Sequence, residues 1–271
     1  MPLAFVDRPP SAAEVEKLRL LLSAYQDGTG MLTVKGGQTL PGWRDFERAV
    51  ALAFGGAASE SKDIFDVVLS RPDEPPSSLY GVSCKMRSEL NRIDRDGRVT
   101  IEVSNSAGKF WDHLATKALN QTNYKDSASE VGEAVIVLVN GWHQAQSSLA
   151  GGRIVLDKSF YLVLSWSRQG WYQMHQFPLN LIDLSALRWS FPVKAGATAR
   201  RLVGEDATGT LVEWYGESGG QLKFYPLAQD ALWHSERFQL EPLPETTQGI
   251  LGRVAAYYPE KWAAANKDAP E

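Results

Sequence analysis

The segment Arg71-Pro-Asp-Glu-Pro-Pro-Ser-Ser78 carries three prolines and separates two runs of strand-forming residues. Proline has no amide hydrogen and a locked φ, so this stretch must be a turn or loop. Its flanks are Ile64-Phe-Asp-Val-Val-Leu69 and Leu79-Tyr-Gly-Val-Ser-Cys-Lys-Met86, both rich in β-branched and aromatic residues. Two such runs around a short breaker read as a β-hairpin. The hairpin is demanding because it places charge inside strands. Asp66 interrupts an otherwise apolar run, and a charge there is costly unless it is paired or holds a metal. Ser83 and Lys85 are two positions apart and share one face of the second strand. Cys84 points the other way and reads as a core thiol.

The surrounding chain alternates helix and strand. Ser11-Ala-Ala-Glu14 is a capping box, and Val15, Leu18, Leu21, Leu22 and Tyr25 follow at helical spacing up to Gly28. A second helix is expected from Pro41 to Gly55-Gly56, with Trp43, Phe46, Val50 and Phe54 as its apolar stripe and Glu47 at the border. After the hairpin come a turn at Asp96-Gly97, a strand over Arg98–Val103 and an amphipathic helix from Gly108 to Asn120. Glu133-Ala-Val-Ile-Val-Leu-Val139 reads as a strand covered on both faces. Phe160–Trp166 and Gly170–Phe177 form a strand pair around Arg168-Gln169, and Gly209–Tyr215 with Gln221–Tyr225 form a hairpin. A short helix follows Thr246. The sum is a mixed α/β core with a β-rich C-terminal elaboration.

Composition narrows the function classes. A net charge of −4 argues against coating nucleic acid without preference, which draws its affinity from a basic excess. It leaves room for a site-specific enzyme with a local basic cleft. Cys84 is the single cysteine, so no intramolecular disulfide forms. Met-Pro-Leu-Ala-Phe-Val-Asp-Arg is not a secretory signal, and no apolar run approaches the roughly 20 residues that span a bilayer. The expectation is a soluble, cytoplasmic protein without membrane contact. No glycine-rich loop leads into Gly-Lys-Ser/Thr, so no nucleotide cofactor is expected. His113, His143, His175 and His234 are too scattered for a zinc site.

An aspartate and a lysine on paired strands suit metal-assisted phosphodiester hydrolysis. Carboxylates hold a divalent cation, and a lysine positions or deprotonates water and offsets phosphate charge. Magnesium takes hard oxygen ligands and keeps several waters, so two or three protein oxygens suffice. Five cations, Lys85, Arg87, Arg92, Arg95 and Arg98, then crowd residues 85–98, with Lys109 beyond them. Such a run suits a duplex backbone or base edges, and equally a solvated loop of mutual ion pairs.

Phe65-Asp66-Val67-Val68 followed by Ser83-Cys84-Lys85 resembles the restriction-endonuclease-like superfamily. Its pattern is an aspartate opening one strand and Glu/Asp-x-Lys on the hairpin partner. Here a serine stands at the acidic position, as in the type II enzymes that read CCGG-centred sites. The resemblance covers roughly residues 41–140 and implies a restriction-endonuclease-like mixed-sheet core flanked by helices. By it Asp66 and Lys85 are catalytic beside Ser83, and Glu102 supplies the displaced carboxylate, with Glu89 the competing candidate. Glu47 is the helix ligand, and the main-chain carbonyl of Cys84 is a further Mg2+ contact. Arg87, Arg92, Arg95, Arg98 and Lys109 become the DNA-binding candidates.

The resulting expectation is one nuclease domain over residues 1–271, with its β-rich part at about 155–245 contacting DNA or a second copy. It would cut double-stranded DNA at a short site, as a homodimer, since palindrome readers are commonly two-fold symmetric. Three rivals stand beside it: a structure-directed repair or recombination nuclease, a non-catalytic DNA-binding protein on the same fold, and a carbohydrate- or peptide-binding domain using the tryptophans.

Overall fold

The computed structural model describes residues 2–33, 39–58, 64–71, 78–104, 106–151, 153–180, 186–193, 201–244 and 249–265. Most of the proline-rich loop and Thr246 lie outside these residues. Helix α1 (Ala12–Ala24) opens on the expected capping box: the Glu14 amide donates to Ser11 Oγ, and Glu14 Oε2 accepts the Ser11 amide at 2.7 Å. Strands β1 (Leu32–Thr33) and β2 (Thr39–Leu40) lead into α2 (Trp43–Phe54), which stops at Gly55 in the left-handed conformation (φ 72°). Phe46, Ala49 and Val50 of α2 are buried, whereas Trp43 is 49% exposed and lies outside the buried stripe.

Strand β3 (Ala57–Ala58) precedes the hairpin of β4 (Val67–Ser70) and β5 (Leu79–Arg87), with Val67 opposite Val82. Next come α3 (Leu90–Asp96), β6 (Ile101–Ser104), α4 (Ala107–Ala115) and α5 (Ala128–Leu149). Strands β7 (Phe160–Trp166) and β8 (Trp171–Pro178) form the expected antiparallel pair. They are followed by β9 (Arg188–Ser190), β10 (Leu202–Asp206), β11 (Gly209–Tyr215) and β12 (Gln221–Phe224). The chain ends with β13 (Trp233–His234), β14 (Phe238–Gln239), α6 (Gly249–Tyr257) and α7 (Pro259–Ala265).

Among the described residues the larger sheet runs β13-β8-β7-β5-β4-β3, with β14 also pairing β8. It is mixed: β5 and β7 are parallel, and the other pairs are antiparallel. A parallel pair needs a long crossover, which α3 to α5 provide. A second sheet, β6-β12-β11-β10-β9, is antiparallel throughout. Helices α1 and α2 cover one face of the larger sheet, where Leu18, Leu22, Phe46 and Val50 meet Val67, Val82, Cys84 and Leu162. On the other face α5 lies between the two sheets, packing Val131, Val135 and Val139 against Tyr161 and Phe177 on one side and Leu202 and Trp214 on the other.

Two expectations are corrected here. Glu133–Val139 is the middle of the 22-residue helix α5, not a strand. The helix keeps an exposed position at Val137, 52% exposed, where an apolar residue removes the polar interruption that would mark helical periodicity. The strand expected over Arg98–Val103 begins at Ile101 and belongs to the second sheet, with Glu102 opposite Lys223. The polar stretch before it forms α3, with Gly97 as its left-handed C-cap (φ 70°). No helix among the described residues is long and apolar enough to cross a membrane.

Candidate active site

Asp66 occupies the bend immediately before β4. Its amide donates to the Val82 carbonyl at 3.0 Å, which ties the bend to β5. The preceding Phe65 ring lies across β5 at Gly81, where a Cβ would fall 2.4 Å from ring atoms. Only glycine allows that approach, and the ring anchors the aspartate. Asp66 Oδ2 accepts the Cys84 amide at 2.8 Å and the Lys85 ammonium at 3.3 Å. The two charged side chains are 22% and 19% exposed, so their attraction is only partly screened by water.

Ser83 and Lys85 face a cleft of about 400 Å3 whose opposite wall is α4 and α5. Its lining includes Ser104, Ser106, Lys109, Trp142, His143 and Gln146. His143 stacks on Phe65, with ring centroids 6.2 Å apart, and its Nε2 lies 3.4 Å from Tyr161 Oη. Burial, helped by the nearby Lys85 charge, pushes this imidazole down to about 4, so it is neutral at pH 7. Lys109 Nζ sits 5.5 Å from the centre of the Trp142 ring at the cleft wall. His143, Trp142 and Gln146 were missed as site residues because their segment read as following a strand. As a helix, the segment sets Val139, His143 and Gln146 on one face, a spacing visible in the sequence.

Glu47, on α2, is not part of the cleft wall among the described residues, but lies near enough to Asp66 and Lys85 to feel their charges. Its carboxyl is pushed up to about 7, first by burial and next by the negative charge of Asp66, against the opposing pull of Lys85. Cys84 is buried on the α2 side, and burial drives its thiol well above the usual range. That suits a packing role and not a nucleophile.

The remaining candidates are engaged elsewhere. Glu102 is not part of the cleft wall among the described residues; its carboxylate accepts from Arg87 Nη1 at 2.5 Å. Arg87 also pairs with Glu89 at 3.4 Å, and Glu89 accepts the Thr100 hydroxyl. Arg92 pairs with Asp96 at 3.3 Å and stacks 4.0 Å over the Tyr225 ring. Arg95 is exposed beside Asp96. Arg98 is buried, and donates to the carbonyls of Tyr225 and Thr208 at 2.6 and 2.7 Å, which joins α3 to the second sheet. Its guanidinium is a structural cross-link in this arrangement.

Comparison with family models, with curated proteins and with solved structures returns no match. The chemistry therefore has to be read from the donor set. Asp66 and the backbone at Cys84 are joined by a hydrogen bond, and Glu47 lies within electrostatic range of Asp66; such hard oxygens are the kind magnesium takes. No group of three or more His, Cys, Asp or Glu side chains converges as a metal cage among the described residues. Two carboxylates beside solvent fit a cation that keeps most of its water, and do not fit zinc.

Proposed function

We propose that this chain is a magnesium-dependent endonuclease that hydrolyses double-stranded DNA at a short specific sequence. The supporting observation is the Asp66–Lys85 contact of 3.3 Å between the bend before β4 and strand β5, lining the cleft and within electrostatic range of the Glu47 carboxyl. The sequence α2, β4, β5, α5 and β7, with a parallel β5–β7 pair, supports a restriction-endonuclease-like core.

Asp66 and Glu47 would hold Mg2+, which when bound polarises the scissile phosphate and lowers the pKa of its water. The Cys84 amide fixes the Asp66 carboxylate, so little reorganisation is needed when the substrate arrives. Lys85 is placed to hold the attacking water or a non-bridging phosphate oxygen, with its ammonium 3.3 Å from Asp66 Oδ2. Ser83, buried on the same face, adds a hydroxyl but no charge. Two copies acting on the two strands of a palindrome would give a double-strand cut.

The test is incubation of the purified protein with phage-length duplex DNA in magnesium and in EDTA, resolved on a gel. Discrete bands that vanish in EDTA are the expected result. A magnesium-dependent smear would replace sequence reading by structure-directed or nonspecific cutting. Intact DNA under both conditions would sink the proposal.

A further inference from the structure

The end of the larger sheet beyond Lys85 carries Arg168, in the turn between β7 and β8. Strand register sets Lys85 opposite Val163, which faces His175, and Arg87 opposite Ser165, which faces Gln173. Side chains along this face therefore pass from aromatic, at Tyr161 and Phe177, to polar at Ser165 and Gln173. The β7–β8 turn continues in the same direction, past the Arg87 row.

That turn is tightly made. The Ser167 amide donates to the Trp171 carbonyl at 2.9 Å, and the Gly170 amide to the Ser167 carbonyl at 3.0 Å. Ser167 Oγ accepts the Trp171 amide, and Gly170 takes a positive φ of 81° that favours glycine. Arg168 stands exposed at the tip, and among the described residues it has no ion pair or hydrogen bond. Arg87, Arg92, Arg95 and Arg98 of the preceding segment are all engaged by carboxylates or carbonyls. Trp171, 43% exposed, flanks the turn on the face shared with Gln173 and His175.

An exposed, unpartnered guanidinium on a tightly bonded turn suits a phosphate, which its planar fork can grip through two hydrogen bonds. Arg168 lies two residues beyond the end of β7, whose Val163 pairs with Lys85, so the turn tip is on the order of 15 Å from Lys85 along the strand direction. Along a duplex that is about four base pairs. We propose that the β7–β8 turn is a second DNA contact, with Arg168 holding a backbone phosphate about four base pairs from the bond addressed at Asp66 and Lys85. This rests on the nuclease reading above.

The test compares wild type, Arg168→Ala and Arg168→Lys for binding of a labelled duplex in EDTA, by anisotropy across a salt series. Cleavage of phage-length DNA by wild type in magnesium is run in parallel. Loss of one phosphate contact should weaken Arg168→Ala binding roughly tenfold at low salt and reduce the log–log salt slope by about 0.9. Arg168→Lys should keep the slope, since the charge remains. An unchanged slope in Arg168→Ala, with wild type binding and cutting, overturns the turn contact and leaves the nuclease reading standing. A reduced slope without any cutting supports the contact and removes the nuclease reading. No binding and no cutting by wild type overturns both.

Discussion

Around Arg98 the charged and polar groups are matched to one another. Its guanidinium meets two carbonyls and the Thr208 hydroxyl, and nearby Glu213 accepts from the hydroxyls of Tyr215 and Tyr225 while pairing with Arg201. Around Asp66 the matching is incomplete. Glu47 is pushed up to about 7 by burial and by Asp66 even with Lys85, Arg44 and Arg48 nearby, and Asp66 and Lys85 open onto a cleft. Both regions hold charge, yet only the second leaves a carboxyl that takes up a proton near neutral pH and could exchange it for a cation. Matched charge joins the second sheet to α3; unmatched charge marks a place for a ligand.

The largest expected effect breaks the unmatched cluster. Asp66→Asn or Lys85→Ala should lower DNA cleavage by about a thousandfold or more, with circular dichroism and unfolding midpoint near those of wild type. Full activity in either variant would remove the site assignment. Arg98→Ala should do the reverse. It strands buried carbonyls and should cost about 3 kcal/mol in urea unfolding, through stability and not through the chemical step. A wild-type midpoint would show that the cross-link is dispensable.

Glu47 sharpens the comparison through pH. Its folded pKa of about 7 lies above the ordinary 4.5, so the folded state binds the proton more tightly than the unfolded one. Metal-free protein should therefore lose stability, on the order of 2 kcal/mol, as pH rises from about 4.5 to 7, and Glu47→Gln should flatten that loss. Magnesium affinity should rise over the same window, with proton release seen as a buffer-dependent binding enthalpy. A pH-independent affinity would take Glu47 out of the metal site. The smallest effect belongs to Arg95, whose side chain is 73% exposed beside Asp96. Arg95→Ala should change stability by less than about 0.5 kcal/mol by the same urea measurement.

Local chemistry was enough for the elements closest to the candidate site. Three prolines dictate the break between β4 and β5, the Ser11–Glu14 pair starts α1, and Gly55 stops α2, because each acts within a few residues. The period of two in a strand is likewise local, so Ser83 and Lys85 on one face, with Cys84 on the other, could be read directly. What the sequence could not determine depends on partners far along the chain. The run 133–139 is helical because Ala134, Val135 and Val139 pack into the core between two sheets, and the exposed Val137 hides the helical period from the sequence. Glu102 stands with Arg87 and away from the cleft wall because β6 pairs with β12, some 120 residues later. Such pairings are set by which surfaces remain to be covered once the chain has collapsed, and a window of neighbouring residues holds no record of that choice.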